Sequence, residues 1–149
     1  MRPSISVKET SLDNAVLARQ TKLEFGETYS KDYFEKRCKG KDPLIIAAYT
    51  DEGNKPIGYL IGFNRFNDGS FYCWLSGVWV DQNKRRIFHA LMMYAQRWAR
   101  KKGYKSVKIK TRNKRTNILH YLIKSGYHFL EVTPDPNPAE NRILLEKKI

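Results

Sequence analysis

Polar and apolar residues alternate through Ile5-Ser6-Val7-Lys8, the two-residue period of a half-buried strand. Ser11 and Asp13 then stand as N-cap candidates for a helix carrying Ala15, Val16, Ala18 and Leu23 on one stripe. A second short helix is predicted over Lys31–Lys39, holding Tyr33, Phe34 and Arg37 and closed by Gly40. Pro43 introduces Leu44–Tyr49, whose length and unbroken apolar character predict a buried strand. Asp51–Asn54 reads as a turn and Pro56–Phe66 as the next strand. Asn67-Asp68-Gly69 is a hairpin turn into a long third strand over Phe71–Val80.

The period then lengthens. Ile87, Leu91, Tyr94, Ala95 and Trp98 form the apolar face of a helix over Arg85–Lys102, and Gly103 supplies its stop. Ser106–Lys110 alternates as a strand with a basic outer face. Thr116 or Asn117 is the cap expected for a helix bearing Leu119, Leu122 and Ile123, which Gly126 closes. Strands over Tyr127–Val132 and Arg142–Glu146 flank the loop Pro134–Pro138. A three-strand meander followed by a strand–helix–strand crossover predicts an α/β fold of mixed α+β layers. One domain over residues 1–149 accommodates it. The expected sheet has six or seven mixed strands with helices on both faces. The strand ending at Val80 and the strand over Ser106–Lys110 should be parallel neighbours.

Composition narrows the classes. With 149 residues, 41% of them hydrophobic, the chain is long enough to bury a core without disulfides. Its longest apolar runs, Leu44–Tyr49 and Phe88–Ala95, fall far short of a membrane span. The N-terminal residues show no apolar segment of the secretory type, and Cys38 and Cys73 have no metal-ligand or redox spacing. A cytoplasmic protein with reduced thiols, no metal and no membrane partner is expected. The formal charge of +13 is unevenly spread: Gln82–Leu130 holds 14 Lys and Arg and not one Asp or Glu. Such a one-signed field gathers anions. A phosphorylated cofactor, nucleic acid, a membrane surface or an acidic protein would each answer it.

Several fragments then carry a resemblance. Pro56-Ile57-Gly58-Tyr59-Leu60-Ile61-Gly62, the stretch LSGVWVDQNKRRIFHAL from Leu75 to Leu91, Trp98–Tyr104 followed by Val107-Lys108-Ile109, and Leu122–Tyr127 stand in the order and spacing of one superfamily. The chain resembles the GNAT acyl-CoA-dependent N-acyltransferases. That resemblance implies acyl transfer, most simply acetyl transfer, from acetyl-CoA (coenzyme A) to an amine acceptor whose identity no segment encodes. It also implies that the backbone of Val78, Trp79 and Val80 pairs with the pantetheine arm as an added strand would. The pyrophosphate would lie on the loop and helix start formed by Asn83, Lys84, Arg85, Arg86, Ile87, Phe88 and His89, where free amides and the helix dipole favour an anion. Asn117 corresponds in part to an asparagine that touches the pantetheine arm.

The family's glycine-rich loop pattern falls on Asn83, Arg86 and Phe88, and none of the three fits it. Two readings follow. Lys84, Arg85 and Arg86 supply by side chain what glycines supply by close backbone approach, or Arg86 and Phe88 fill the site. A basic triplet at a helix N-terminus opposes the dipole unless an anion is bound there, which favours the first. Relatives often place a Glu on the strand before this loop and a Tyr in the last helix, positions occupied here by Trp74 and Leu122. Tyr121, one residue away, is the candidate catalytic acid. No base is singled out among Glu24, Glu27 and Glu35, and His89 and His120 lie on the two helices. The alternatives to a working transferase are an inactive acyl-CoA-binding domain and a basic nucleic-acid-binding module. For the latter, Lys105, Lys108, Lys110, Arg112, Lys114 and Arg115 supply cations but no stacking platform. The oligomeric state is open, a homodimer included.

Overall fold

A computed structural model describes residues 4–11, 31–50, 56–78 and 83–149. The helix expected after Ser11, with Glu24 and Glu27, lies outside the described residues, as do Trp79 and Val80. Seven strands form one sheet: β1 (Ile5–Glu9), β2 (Leu44–Thr50), β3 (Gly58–Phe63), β4 (Ser70–Val78), β5 (Ser106–Arg112), β6 (His128–Thr133) and β7 (Arg142–Lys148). Their spatial order is β1-β2-β3-β4-β5-β7-β6. β4 and β5 are the parallel pair, and the other adjacent pairs are antiparallel. The helices are α1 (Lys31–Cys38), α2 (Lys84–Lys102) and α3 (Thr116–Lys124). The expected mixed sheet, its crossover and its helix-covered faces are all present.

Each face follows from the strand alternation. Leu44, Ile46, Leu60, Phe71, Val107, Ile109, Ile143 and Leu145 point to one side, where they meet Leu91, Met92 and Ala95 of α2 and Leu119 and Leu122 of α3. Tyr59, Ile61, Phe63 and Tyr72 point to the other, against Phe34 and Cys38 of α1. Within the first layer, Gln96 donates to the Tyr127 hydroxyl at 2.8 Å, so a buried amide is not left unpaired.

Some boundaries move. β3 ends at Phe63, short of the expected Phe66, because the Asn64 amide turns to donate to the Lys41 carbonyl. Asn67 (φ 52°) and Gly69 (φ 91°) take the left-handed conformations that the expected turn requires. Asp68 of this turn accepts from the Ser70 amide and hydroxyl and from Lys108 at 2.7 Å, which ties the turn to β5. The expectation that Thr116 or Asn117 caps α3 is corrected. Arg115 is the N-cap residue and makes no side-chain cap, and Thr116 is already the first helical residue. Gly103 closes α2 at φ 96°, its amide returning to the last turn.

Candidate active site

The parallel ladder between β4 and β5 pairs Ser70 with Ser106, Phe71 with Val107, Tyr72 with Lys108 and Cys73 with Ile109, and goes no further among the described residues. The cause is visible on the other edge of β4. Gly62 pairs with Cys73 but Ile61 with Leu75, so Trp74 is an extra residue, a β-bulge. A bulge bends its strand and increases the local twist. Beyond it Leu75–Val78 follows β3, while Lys110–Arg112 of β5 follows β7. A wedge opens between two strands that started as neighbours.

The start of α2 sits on the rim of that wedge. Asn83, at φ 63°, precedes the helix, and the first intrahelical bond closes from the Ile87 amide to the Asn83 carbonyl at 2.9 Å. The amides of Lys84, Arg85 and Arg86 therefore have no carbonyl one turn back within the helix. Between β4, α2 and α3 lies a cleft of about 920 Å³, lined by Ser76, Gly77 and Val78, by Lys84, Arg85 and Phe88, by residues 114–118, and by His120, Tyr121 and Lys124. Five of these are cations, and no described lining residue is an acid. Lys114 is held by Glu140 at 2.5 Å.

The site residues named from sequence separate into groups. Val78, Lys84, Arg85, Phe88, Asn117 and Tyr121 line the cleft. Asn83, exposed, and Arg86, half-buried, stand at the same helix start but do not line the cleft. Ile87 is corrected. Its side chain is 2% exposed in the core and its amide is spent on Asn83, so neither faces a ligand. Phe88, at a small-residue position in the family pattern, lines the cleft, and its ring meets Tyr121 edge-on at 5.2 Å. Glu35 is exposed on α1.

Tyr121 faces the cleft while Leu122 enters the core. Its hydroxyl lies 2.7 Å from His89 Nδ1, where it donates to the imidazole when that nitrogen is bare. Burial pushes the phenol up from its ordinary value, so it keeps its proton at neutral pH. No sequence signal joined these two residues, which are 32 positions apart. Trp74 is far from idle. Its indole packs among the rings of Tyr33, Phe34 and Phe63 at 5.6–6.0 Å, on the face opposite α2. The cations at 114, 115 and 124 were also not singled out as cleft residues, although the acid-free stretch Gln82–Leu130 contains them all.

Residues 14–127 match the sequence model of the Acetyltransferase (GNAT) family. No curated protein matches the chain in sequence. Among solved structures, the ribosomal-protein-S18-alanine N-acetyltransferase of Escherichia coli superposes with a TM-score of 0.78 at 12% identity, over 98% of this chain and 94% of that one. Ard1 from Thermoplasma volcanium gives 0.77 at 16% identity, with 97% of each chain covered. The PaiA N-acetyltransferase of Thermoplasma acidophilum in complex with coenzyme A gives 0.70 at 15%, over 98% and 99%. At these identities the likeness is one of fold.

Proposed function

The chain belongs to the GNAT family of acetyltransferases, and from that premise we propose that it is an N-acetyltransferase that draws on acetyl-CoA through the cleft between β4, α2 and α3. The observation that carries this reading is the wedge itself: the β4 edge past Trp74 is released from β5 and opens beside the N-terminus of α2. The residues present fit coenzyme A. Its pantetheine arm is an amide chain, which an unpaired strand edge can bond. Its phosphates suit a helix start flanked by Lys84, Arg85 and Lys124. When bound, acetyl-CoA supplies the acetyl thioester.

The chain's own groups then orient and protonate. The amine must attack as the free base; as its C–N bond forms the C–S bond breaks, one proton leaves nitrogen and one is taken up by the departing thiolate. Tyr121, kept protonated by burial and linked to His89, is the proposed donor of that second proton. The first proton has no carboxylate on β4 to receive it, since Trp74 stands at the bulge, and in this reading it goes to water.

The test is titration with coenzyme A. The native protein should bind it, with a rise in melting temperature that weakens as salt increases. Lys84→Glu combined with Arg85→Glu should reduce affinity on the order of 100-fold, from two lost charge-assisted contacts. An unchanged affinity in a folded double variant removes the anion-binding role of this helix start.

A further inference from the structure

The outer face of β5 carries three cations in alternation, and the fold treats them differently. Lys108 is neutralised by Asp68 at 2.7 Å and Arg112 by Glu140 at 2.6 Å. Lys110, between them, has no carboxylate within ion-pair distance among the described residues. It is also the first β5 residue beyond the ladder with β4, so it stands in the crotch of the wedge. Since Ile109 enters the core with α2, Lys110 points to the opposite face. Three more cations approach it there from three other elements. Arg37 of α1 lies over the rings of Phe63 and Trp74 at 5.6 and 5.8 Å, and its Nε is buried without a hydrogen-bond partner. Arg65, after β3, lies over Phe66 and Tyr72 at 5.4 and 4.9 Å. Arg142 comes from β7, two residue pairs beyond the Lys110–Leu144 pair and so on the same face of the sheet.

Burial first, then Arg65, Arg142 and Arg37, hold the Lys110 ammonium below its usual range, and Glu131 of β6 acts against them. Three arginines around a half-buried lysine repel it and one another, which is costly unless an anion joins them. The place of the cluster gives that anion a meaning. In the acetyltransferase reading the coenzyme's phosphates would lie where β4 leads to α2, beside Val78 and Lys84 of the cleft wall. An arm lying along β4 from there directs its acyl end back toward Trp74 and Lys110. The cations therefore surround the mouth through which an acceptor would approach. They would repel a plain ammonium.

Resting on the acetyltransferase reading above, we infer that the acceptor is an amine that also bears a phosphate or carboxylate group, and that Lys110, Arg142, Arg65 and Arg37 bind that anion and so select the acceptor. The amine end lies toward the wedge and the anionic end against the cluster.

The experiment uses the full chain saturated with coenzyme A, at fixed ionic strength. Melting temperature is followed against O-phosphoethanolamine and against ethanolamine. Thiol release from acetyl-CoA is followed with the same two amines, and with two short peptides whose second and third residues are either acidic or neutral. The anionic member of a pair should bind and react better by about tenfold or more, the worth of one charge-assisted contact. Whether the phosphate pair or the peptide pair shows the gap tells a small phosphorylated amine from an acidic chain terminus. Lys110→Gln and Arg142→Gln, made singly and together, should erase the gap while coenzyme A affinity holds. Equal response to both members of both pairs, or a gap that survives in the double variant, overturns the inference. Absence of coenzyme A binding is a separate result, which strikes the acetyltransferase reading.

Discussion

The two halves of β4 behave as different strands. Ser70–Cys73 pairs with β5 throughout and with β3 at Tyr72 and Cys73, and is clasped at its start by Asp68. Leu75–Val78 keeps β3 and leaves β5, and its Ser76, Gly77 and Val78 line the cleft. One extra residue, Trp74, separates them. The first half is architecture, closed on every side; the second is an edge held open for something else to fill. A sheet can thus keep its cooperativity and still expose backbone donors and acceptors in its middle, where a fully paired sheet would have none.

The glycines of β3 offer the largest break in this comparison. Gly62 faces the closed half, and a Cβ there would sit 2.6 Å from the Phe71 ring and from the Tyr72 carbonyl oxygen. Backbone cannot yield as a side chain can, so Gly62→Ala should cost at least about 3 kcal/mol, at the upper end of overpacking effects. Gly58 faces the open half, where its Cβ would meet Ile87 Cγ2 at 3.0 Å, the Gly77 carbonyl at 3.2 Å and Leu91 Cδ1 at 3.3 Å. Two of those three are flexible side chains of α2. Gly58→Ala should cost nearer 1 kcal/mol, and because Ile87 must shift it should also weaken coenzyme A. Urea unfolding and coenzyme A titration on both variants check the pair. Equal destabilisation would deny the halves their separate roles.

That contrast also marks what the sequence discloses. Alternation in Ser106–Lys110, the helical stripe from Ile87 to Trp98 and the turn Asn67–Gly69 are local patterns, and each element lies where those patterns put it. The bulge is not local. Phe71–Val80 reads as one uninterrupted strand, and only its pairing with Gly62 and Ile61 shows Trp74 to be surplus. The same limit applies to Arg37, Arg65, Lys110 and Arg142, which four elements bring to one face, and to His89 with Tyr121. Charge counts located the excess cations on Gln82–Leu130; topology divided them between the cleft and the far face. For α3 the cap was misplaced by one residue because Thr116 and Asn117 have the right chemistry, while the backbone enters the helix at Arg115.

Within the open half, Tyr121→Phe is the next effect in size. Removing only the hydroxyl should lower kcat by about tenfold, and by up to roughly 100-fold if proton donation is of ordinary strength. A thiolate leaves readily near neutrality, its thiol pKa being ~8.5, so the lower figure is the better guide. Coenzyme A affinity and stability should stay near native, since the ring and its contact with Phe88 remain. Burial raises the native phenol's pKa, so the native enzyme's advantage persists through neutral pH and fades only as the phenol loses its proton at high pH. A variant with full turnover would make Tyr121 a packing residue of the cleft wall.

The smallest effect belongs to the clasp on the closed half. Lys108 and Ser70 hold the Asp68 carboxyl down at about 2, with Lys108 the leading cause. A depressed carboxylate pKa stabilises the fold above the unfolded value of roughly 3.9 and loses that contribution as pH falls through about 2. Solvent reaches the pair, the Asp68 side chain being 43% exposed, so screening limits it to about 1 kcal/mol or less. Asp68→Asn should therefore lower stability slightly at neutral pH, and the gap to the native protein should close between pH 4 and pH 2. High salt should narrow it as well. Lys108 would keep its place over the Phe66 ring at 4.6 Å, which is why the loss is small. Coenzyme A affinity is the decisive companion measurement. The clasp acts four residues before the bulge, on strands paired with or without it, so affinity should not change. If it falls together with stability, the bulge at Trp74 does not insulate the cleft from the ladder, and the two halves of β4 are one mechanical unit after all.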